Sequence, residues 1–222
     1  MKKSFLIFIS LIFSLFIISC DTTEPDDDPN SLGGDTNVPI SQVGNVVSTG
    51  SVTIGNQSYD IGGEFEVISN NNGLATLQVK ADLRNVPGLS AFNDFIPSSM
   101  KDANGRVNTT VQFKVTSEGM QDNMNVDGKL HTLVKYNAKV GDSYKITTSN
   151  GKTITRTVTE RTDQDDFPYG FFNIKTIKVE QDSRVPGVRN FVYRLNHKFG
   201  LVFVEIIMED GSSAKVYLYS AN

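Results

Sequence analysis

The 222-residue chain contains no tryptophan, a single cysteine and two histidines. With one cysteine, no disulfide can form within the chain, so its fold must rest on burial and strand pairing. Sugar-binding sites commonly stack on tryptophan, so its absence weakens a glycan-binding interpretation. Neither His131 nor His197 belongs to a metal-binding spacing such as His-Glu-x-x-His. We therefore predict two surface or turn histidines and no metal or cofactor.

Basic residues are also too few to form a nucleic-acid interface. The chain has 25 acidic residues against 21 lysines and arginines. Six of the acids lie within residues 21–35, and two of the bases are Lys2 and Lys3. From Thr36 onward, 19 acids balance 19 bases. A nearly neutral domain lacks the basic face that phosphate binding requires, so we exclude nucleic acid as a partner.

The first twenty residues form the most informative pattern. Lys2 and Lys3 precede an apolar stretch over residues 5–18, which ends in Ile17-Ile18-Ser19-Cys20. This order is typical of a signal peptide, and the stretch is shorter than the roughly 20 residues that span a bilayer. The last four residues resemble the lipobox of bacterial lipoproteins. That resemblance implies a signal peptide over 1–19 and lipidation of Cys20 with palmitate-type chains, which anchor the protein to a membrane.

Residues 20–42 are expected to form an acidic, flexible tether, because they contain few large apolar groups. Asp26, Asp27 and Asp28 indicate a solvated charge run rather than a calcium loop. The acids resemble the export tag of surface lipoproteins of the Bacteroidota type. Under the rule known for enteric bacteria, Asp21 would instead retain the protein at the inner membrane. We expect the outer membrane, at its periplasmic face or at the cell surface.

Residues 43–222 are predicted to be a β-rich domain. Turn signals between β-branched runs predict hairpins at 70–73, 149–152 and 209–212. We expect roughly ten strands, including 107–116, 171–179 and 191–195. The fold class is therefore all-β, as an antiparallel sandwich, an open barrel or a strongly curved sheet. One short helix is predicted over 90–100, where Pro97 would end it.

Two strands carry signals about burial. Residues 201–208 are apolar on both faces apart from Glu205, which predicts a strand covered on both sides. On the strand that contains Ile154 and Val158, Arg156 falls on the apolar face. We favour an edge arginine that reaches solvent, and the alternative is a buried ion pair or ligand contact.

The sequence leaves open whether the domain divides into two halves near residues 137–142. The second half contains Lys139-Val140-Gly141-Asp142, a Phe-rich strand and Gly200-Leu201-Val202. These features resemble an uncharacterised class of β-rich bacterial lipoprotein domains, which implies no particular activity.

Candidate sites within the domain are few. The loop 162–170 carries Asp163 and Asp165 at a spacing seen in calcium sites, but a solvated turn is favoured. Aromatic residues on the late strands are expected to pack in the core rather than line a cleft. These residues are Tyr169, Phe171, Phe172, Tyr193, Tyr217 and Tyr219.

The sequence favours a lipid-anchored envelope protein with a binding or structural domain. Its partner would be an unidentified envelope protein, glycan or lipid. No catalytic residue is predicted, since no Gly-x-Ser-x-Gly elbow or other catalytic set is present. The alternative is a carrier that encloses an apolar, lipid-like molecule within its curved sheet. An envelope hydrolase ranks third.

Overall fold

The fold is described from a computed structural model, which covers residue 28 and residues 30–87, 89, 96–183 and 185–221. The predicted signal peptide, Cys20 and the first part of the predicted tether lie outside these residues. So do residues 90–95 of the predicted helix. Ser98–Met100 form a 3₁₀ turn that follows Pro97.

The described residues include sixteen strands and two short 3₁₀ helices, and Leu89 is the one described residue in α-helical conformation. The 3₁₀ helices are Pro39–Ser41 and Ser98–Met100. The strands are β1 (Val46–Thr49), β2 (Val52–Ile54), β3 (Gln57–Tyr59), β4 (Glu64–Asn71), β5 (Leu74–Ala81), β6 (Val107–Thr116), β7 (Gly119–Asp122), β8 (His131–Lys135), β9 (Ser143–Thr147), β10 (Thr153–Arg161), β11 (Phe167–Tyr169), β12 (Phe172–Ile174), β13 (Ile177–Asp182), β14 (Val188–Asn196), β15 (Gly200–Met208) and β16 (Ser213–Ser220).

Fourteen strands form one antiparallel sheet in the order β8-β7-β6-β5-β4-β1-β16-β15-β14-β13-β10-β9, with β2 and β3 attached beside β16. The sheet curls until its two terminal strands, β8 and β9, lie side by side without a backbone ladder between them. The result is a nearly closed barrel with one seam, which confirms the predicted all-β antiparallel class.

The three predicted hairpins are confirmed. They join β4 to β5, β9 to β10 and β15 to β16. The strand predicted at 107–116 is β6. Strand β15 lies inside the sheet between β14 and β16. Of the apolar run at 201–208, which was expected to be covered on both sides, Val202 and Phe203 are buried and the other residues are half-buried.

Two strand predictions are wrong. The described chain has more strands than the expected ten, because several strands of three to five residues are too short to leave a period-two pattern. The expected single strand at 171–179 is instead β12 and the start of β13. Residues 163–176 leave the barrel as a hairpin, β11–β12, whose two strands pair only with each other.

Side chains from both halves of the chain fill the interior of the barrel. This core contains Phe113, Val115, Met120, Leu133, Val134, Ala138, Tyr144, Val158, Ile177, Val179 and Leu195. The loop at 137–142, a possible divide between two halves by sequence, joins the two strands that border the seam. Because one core is built from both halves, the two sides of the seam are packed together.

The described part of the predicted tether, from Asn30 to Gln42, is packed on the barrel rather than free. Leu32 is buried, and Val38 and Ile40 contact the core. At Gly200, where φ is +70°, an added Cβ would lie 2.9 Å from Ile40 Cδ1. A few apolar side chains spaced among polar ones are enough to dock this N-terminal segment. The prediction of a flexible tether rested on the average composition, which is polar, and so missed them.

Candidate functional site

The two edges of the barrel meet through buried polar side chains. Arg156 on β10 is 3% exposed, and its Nη2 lies 2.8 Å from Oδ2 of the buried Asp122 on β7. The favoured prediction of a solvent-exposed edge arginine is therefore wrong, and the alternative of a buried ion pair is confirmed. Arg156 lies on the same face of β10 as Val158, which belongs to the core.

The guanidinium is held in place by three further hydrogen bonds. Arg156 Nε donates to Gln181 Oε1 at 2.7 Å, and Nη1 donates to the carbonyl oxygens of His131 and Thr132 at 2.9 and 3.3 Å. Asp122 Oδ1 accepts from the Met124 backbone N–H at 3.0 Å. Asp122 Oδ2 accepts no hydrogen bond of good geometry within the described residues. The two ions are therefore positioned by their hydrogen bonds to neighbouring groups, and not by a hydrogen bond between Arg156 and Asp122.

His131 is the third member of this buried group, which corrects the prediction of a surface or turn histidine. It is 1% exposed, and its Nε2 lies 3.2 Å from the Tyr144 carbonyl oxygen across the seam. Burial and the nearby Arg156 cation lower the pKa of His131 to about 4, although the Tyr144 carbonyl partly opposes this. His131 is therefore neutral at physiological pH. We call Asp122, His131, Arg156 and Gln181 the seam cluster.

A pocket of about 350 Å³ opens directly above the seam cluster. Pairing places Arg156 beside Gln181, and Gln181 beside Phe191, so the pocket lies where the ends of β10, β13 and β14 meet. Most of its lining is apolar, and Arg156 and Gln181 form its polar floor. The lining residues of this mouth pocket are Met124, Ile154, Arg156, Gln181, Asp182, Val185, Phe191 and Tyr193.

The floor offers a ligand at least one hydrogen-bond donor. Gln181 uses its Oε1 to accept from Arg156, and its Nε2 donates to no acceptor within the described residues. Arg156 is neutralised by Asp122, and Asp182 adds a negative charge at the rim. The site therefore suits an uncharged carbonyl oxygen attached to an apolar body better than it suits a carboxylate.

A second pocket, of about 330 Å³, is lined by charged groups that pair with one another or with their neighbours. Glu64 lies 3.9 Å from Lys80, and Arg106 lies 3.8 Å from Asp82. A hydrogen bond from Arg84 lowers the pKa of Asp82 to about 2. Because these charges satisfy each other, this pocket offers less to a ligand than the mouth pocket does.

The other predicted site residues are dispersed. His197 is exposed in the turn after β14, and Asp163, Asp165 and Asp166 are exposed in the loop that precedes β11. Within the described residues, no three histidine, cysteine, aspartate or glutamate side chains are placed to hold a metal. Cys20, the predicted lipidation site, lies outside the described residues.

Most of the aromatic side chains pack, as expected. Tyr169 lies against Phe199 and Tyr219, with ring centroids 5.0 and 5.2 Å away. Phe167 packs against Phe203 and Tyr217. Phe171 at the tip of the β11–β12 hairpin is an exception, because it is fully exposed, and Phe172 is half exposed with its ring 5.8 Å from Tyr169. Tyr193 stacks on Phe191 but also lines the mouth pocket, so for this residue the expectation that it lines no cleft is wrong.

Sequence reasoning missed the seam cluster as a unit. Asp122, His131, Arg156 and Gln181 are spread over four strands, and no spacing links them along the chain. The one available signal was Arg156 on an otherwise apolar face. A buried cation needs a nearby anion, so Arg156 on an apolar face indicated an acidic partner, but the sequence did not show which acid.

The fold and site define a barrel-like β domain with a buried ionic seam and a small pocket at one end. No family model matches the chain, and no curated protein matches its sequence. A similar solved structure is that of a "putative exported protein with YmcC-like fold" from Bacteroides fragilis. The TM-score is 0.47 at 10% identity, over 82% of this chain and 97% of the other.

Proposed function

We propose that this protein is a lipid-anchored component of the bacterial cell envelope that binds a ligand at the mouth pocket and catalyses no reaction. The signal-peptide pattern and Cys20 support the anchor. Within the described residues, no helix is long and apolar enough to span a bilayer. The observation that carries the binding function is the mouth pocket, whose apolar walls stand over a polar floor fixed by Asp122.

The ligand class follows from the lining. Met124, Ile154 and Phe191 would contact an apolar body, and Gln181 Nε2 would donate to a carbonyl oxygen. A small amide, or an acylated or apolar residue of a peptide, has this chemistry. The carrier alternative receives less support, because the interior in which a lipid-like molecule would lie is filled by core side chains.

Binding can be tested by ligand-observed NMR with a set of small aliphatic amides. Val185→Trp would fill the mouth pocket, and Val140→Trp is a matched control, because Val140 is an exposed valine elsewhere. We expect at least about tenfold weaker binding by the filled variant and no change for the control. Equal binding by both variants would contradict the site. Chemical conversion of the amides would favour a hydrolase instead.

The anchor can be tested separately in cells. Cys20→Ala should abolish labelling by a fatty-acid probe and move the protein from the membrane fraction to the soluble fraction. Protease treatment of intact cells then distinguishes surface display from a periplasmic location. A wild-type protein that takes up no label would rule out the anchor while leaving the mouth pocket untouched.

A further inference from the structure

We propose that the tip of the β11–β12 hairpin inserts Phe171 and Phe172 into the interface of the bilayer to which the protein is anchored. This proposal goes beyond the mouth pocket, and it rests on the proposed lipid anchor at Cys20. The tip would fix the orientation of the barrel relative to the membrane.

The exposure of the tip carries the proposal. The Phe171 side chain is fully exposed (108%), and Phe172 is 53% exposed. Gly170 precedes them with φ at +64°, a conformation that a side chain would strain. The turn therefore holds the Phe171 ring away from the barrel. Phe172 is half exposed, with its ring 5.8 Å from Tyr169 and 6.0 Å from Phe199. The exposed apolar surface of both side chains is unfavourable in water.

The hairpin below the tip is held firmly. Ser220 N donates to Tyr169 Oη at 3.0 Å, and the Tyr169 ring packs on Phe199 and Tyr219. The Phe167 ring stacks on Tyr217 and lies under the Arg194 guanidinium at 4.9 Å. Ordering the tip at a membrane would therefore cost little conformational entropy.

The charges around the tip fit a phospholipid headgroup layer. Lys198 Nζ lies 5.1 Å from the Phe199 ring, and that ring lies 6.0 Å from Phe172. Lys175 and the acids Asp163, Asp165 and Asp166 are exposed at the open end of the hairpin, where the pairing of Phe167 with Ile174 places Lys175 beside Asp166. An aromatic side chain beside a lysine is typical of segments that lie in a membrane interface.

A bilayer is favoured over a protein partner for two reasons. Two phenylalanine side chains present at most about 500 Å², below the roughly 800 Å² that each partner of a standard protein interface buries. Only seven residues lie between Cys20 and Asp28, and the eight steps from one Cα to the other span at most about 29 Å, so an anchored domain stays near the membrane. Because the anchor keeps the tip at a high effective concentration near the bilayer, even a weak contact is enough for the tip to be bound there.

The absence of tryptophan provides a clean test. Phe171→Trp creates a single fluorophore at the tip, and Val126→Trp is the control, because Val126 is an exposed residue in the loop between β7 and β8. Each full-length, lipidated variant is reconstituted with vesicles of phosphatidylethanolamine and phosphatidylglycerol that carry brominated acyl chains. Vesicle flotation reports anchoring, and bromine quenching reports the depth of the fluorophore.

We expect both variants to float, with quenching at least about threefold stronger for the tip fluorophore than for the control fluorophore, and a blue-shifted emission only at the tip. Equal quenching in floated protein would overturn the proposal and leave the tip to a protein partner. If neither variant floats, the anchor is wrong. In that case, quenching of the tip fluorophore at excess vesicles would still support the contact between the tip and the bilayer. No quenching under those conditions would overturn that contact.

Discussion

The seam is held together by polar contacts, whereas the β11–β12 hairpin is held on the barrel by apolar ones. At the seam, β8 and β9 lack a backbone ladder, and buried charges and hydrogen bonds join the edges. Elsewhere on the sheet, the β11–β12 hairpin is docked by aromatic rings. The seam should therefore respond to single charges and to pH, whereas the hairpin should respond to the loss of apolar volume.

The largest effect is expected at the ion pair. Asp122→Asn leaves Arg156 buried without an anion and should lower the free energy of unfolding by about 3–5 kcal/mol. Urea unfolding at pH 7 measures this loss. Asp163→Asn is the control, because the Asp163 side chain is 90% exposed, and it should change stability by less than about 0.5 kcal/mol.

A double variant shows whether the charge itself is responsible. Asp122→Leu combined with Arg156→Met removes both ions and retains much of their volume, so most of the lost stability should return. A double variant that is less stable than Asp122→Asn would instead assign the effect to the hydrogen bonds that Arg156 makes to Gln181 and the β8 carbonyls.

At the hairpin, Tyr169→Ala removes a buried aromatic ring and should cost about 3 kcal/mol. Because the lost contacts are largely apolar, the loss should be the same at pH 7 and pH 5. Phe171→Ala is the control at the exposed tip, and it should leave stability unchanged. A loss for Tyr169→Ala that varies with pH would mean that the two regions are electrostatically coupled.

The difference between the regions also explains what the sequence could predict. Turn residues and alternating side chains predicted the hairpins and β6, since both signals depend on neighbours along the chain. The prediction for Arg156 failed because its anion lies 34 positions away, on a strand that meets β10 only when the barrel curls. His131 was misplaced for the same reason, since its burial depends on β9. The prediction of a single strand at 171–179 failed because the chain leaves the sheet there. The apolar content of a segment does not show whether it stays in the sheet.

The pH response of the seam should be centred on His131. Its pKa is about 4 in the fold and near 6.5 when unfolded, so the unfolded chain binds the extra proton. The contribution of neutral His131 to the free energy of unfolding is therefore complete above pH 6.5. It is lost as the pH falls towards 4, by about 2–3 kcal/mol. In His131→Gln, which retains an N–H donor, the decline between pH 6.5 and 4.5 should be shallower in urea titrations. Identical slopes would assign the decline to carboxylates.

The smallest effect is expected where the N-terminal segment bridges the seam. Asn30 Nδ2 donates to the Lys145 carbonyl of β9 at 2.9 Å, and Asn30 Oδ1 accepts from the Thr132 N–H of β8 at 3.3 Å. Asn30→Ala removes both bonds and should cost about 1–2 kcal/mol, with faster amide hydrogen exchange in β8 and β9. Asn37→Ala is the control on the same segment, at an exposed position away from the seam. Faster exchange in β15 and β16 as well would show that the bridge stabilises the whole barrel. Exchange confined to β8 and β9 would show that Asn30 stabilises only the two strands that border the seam.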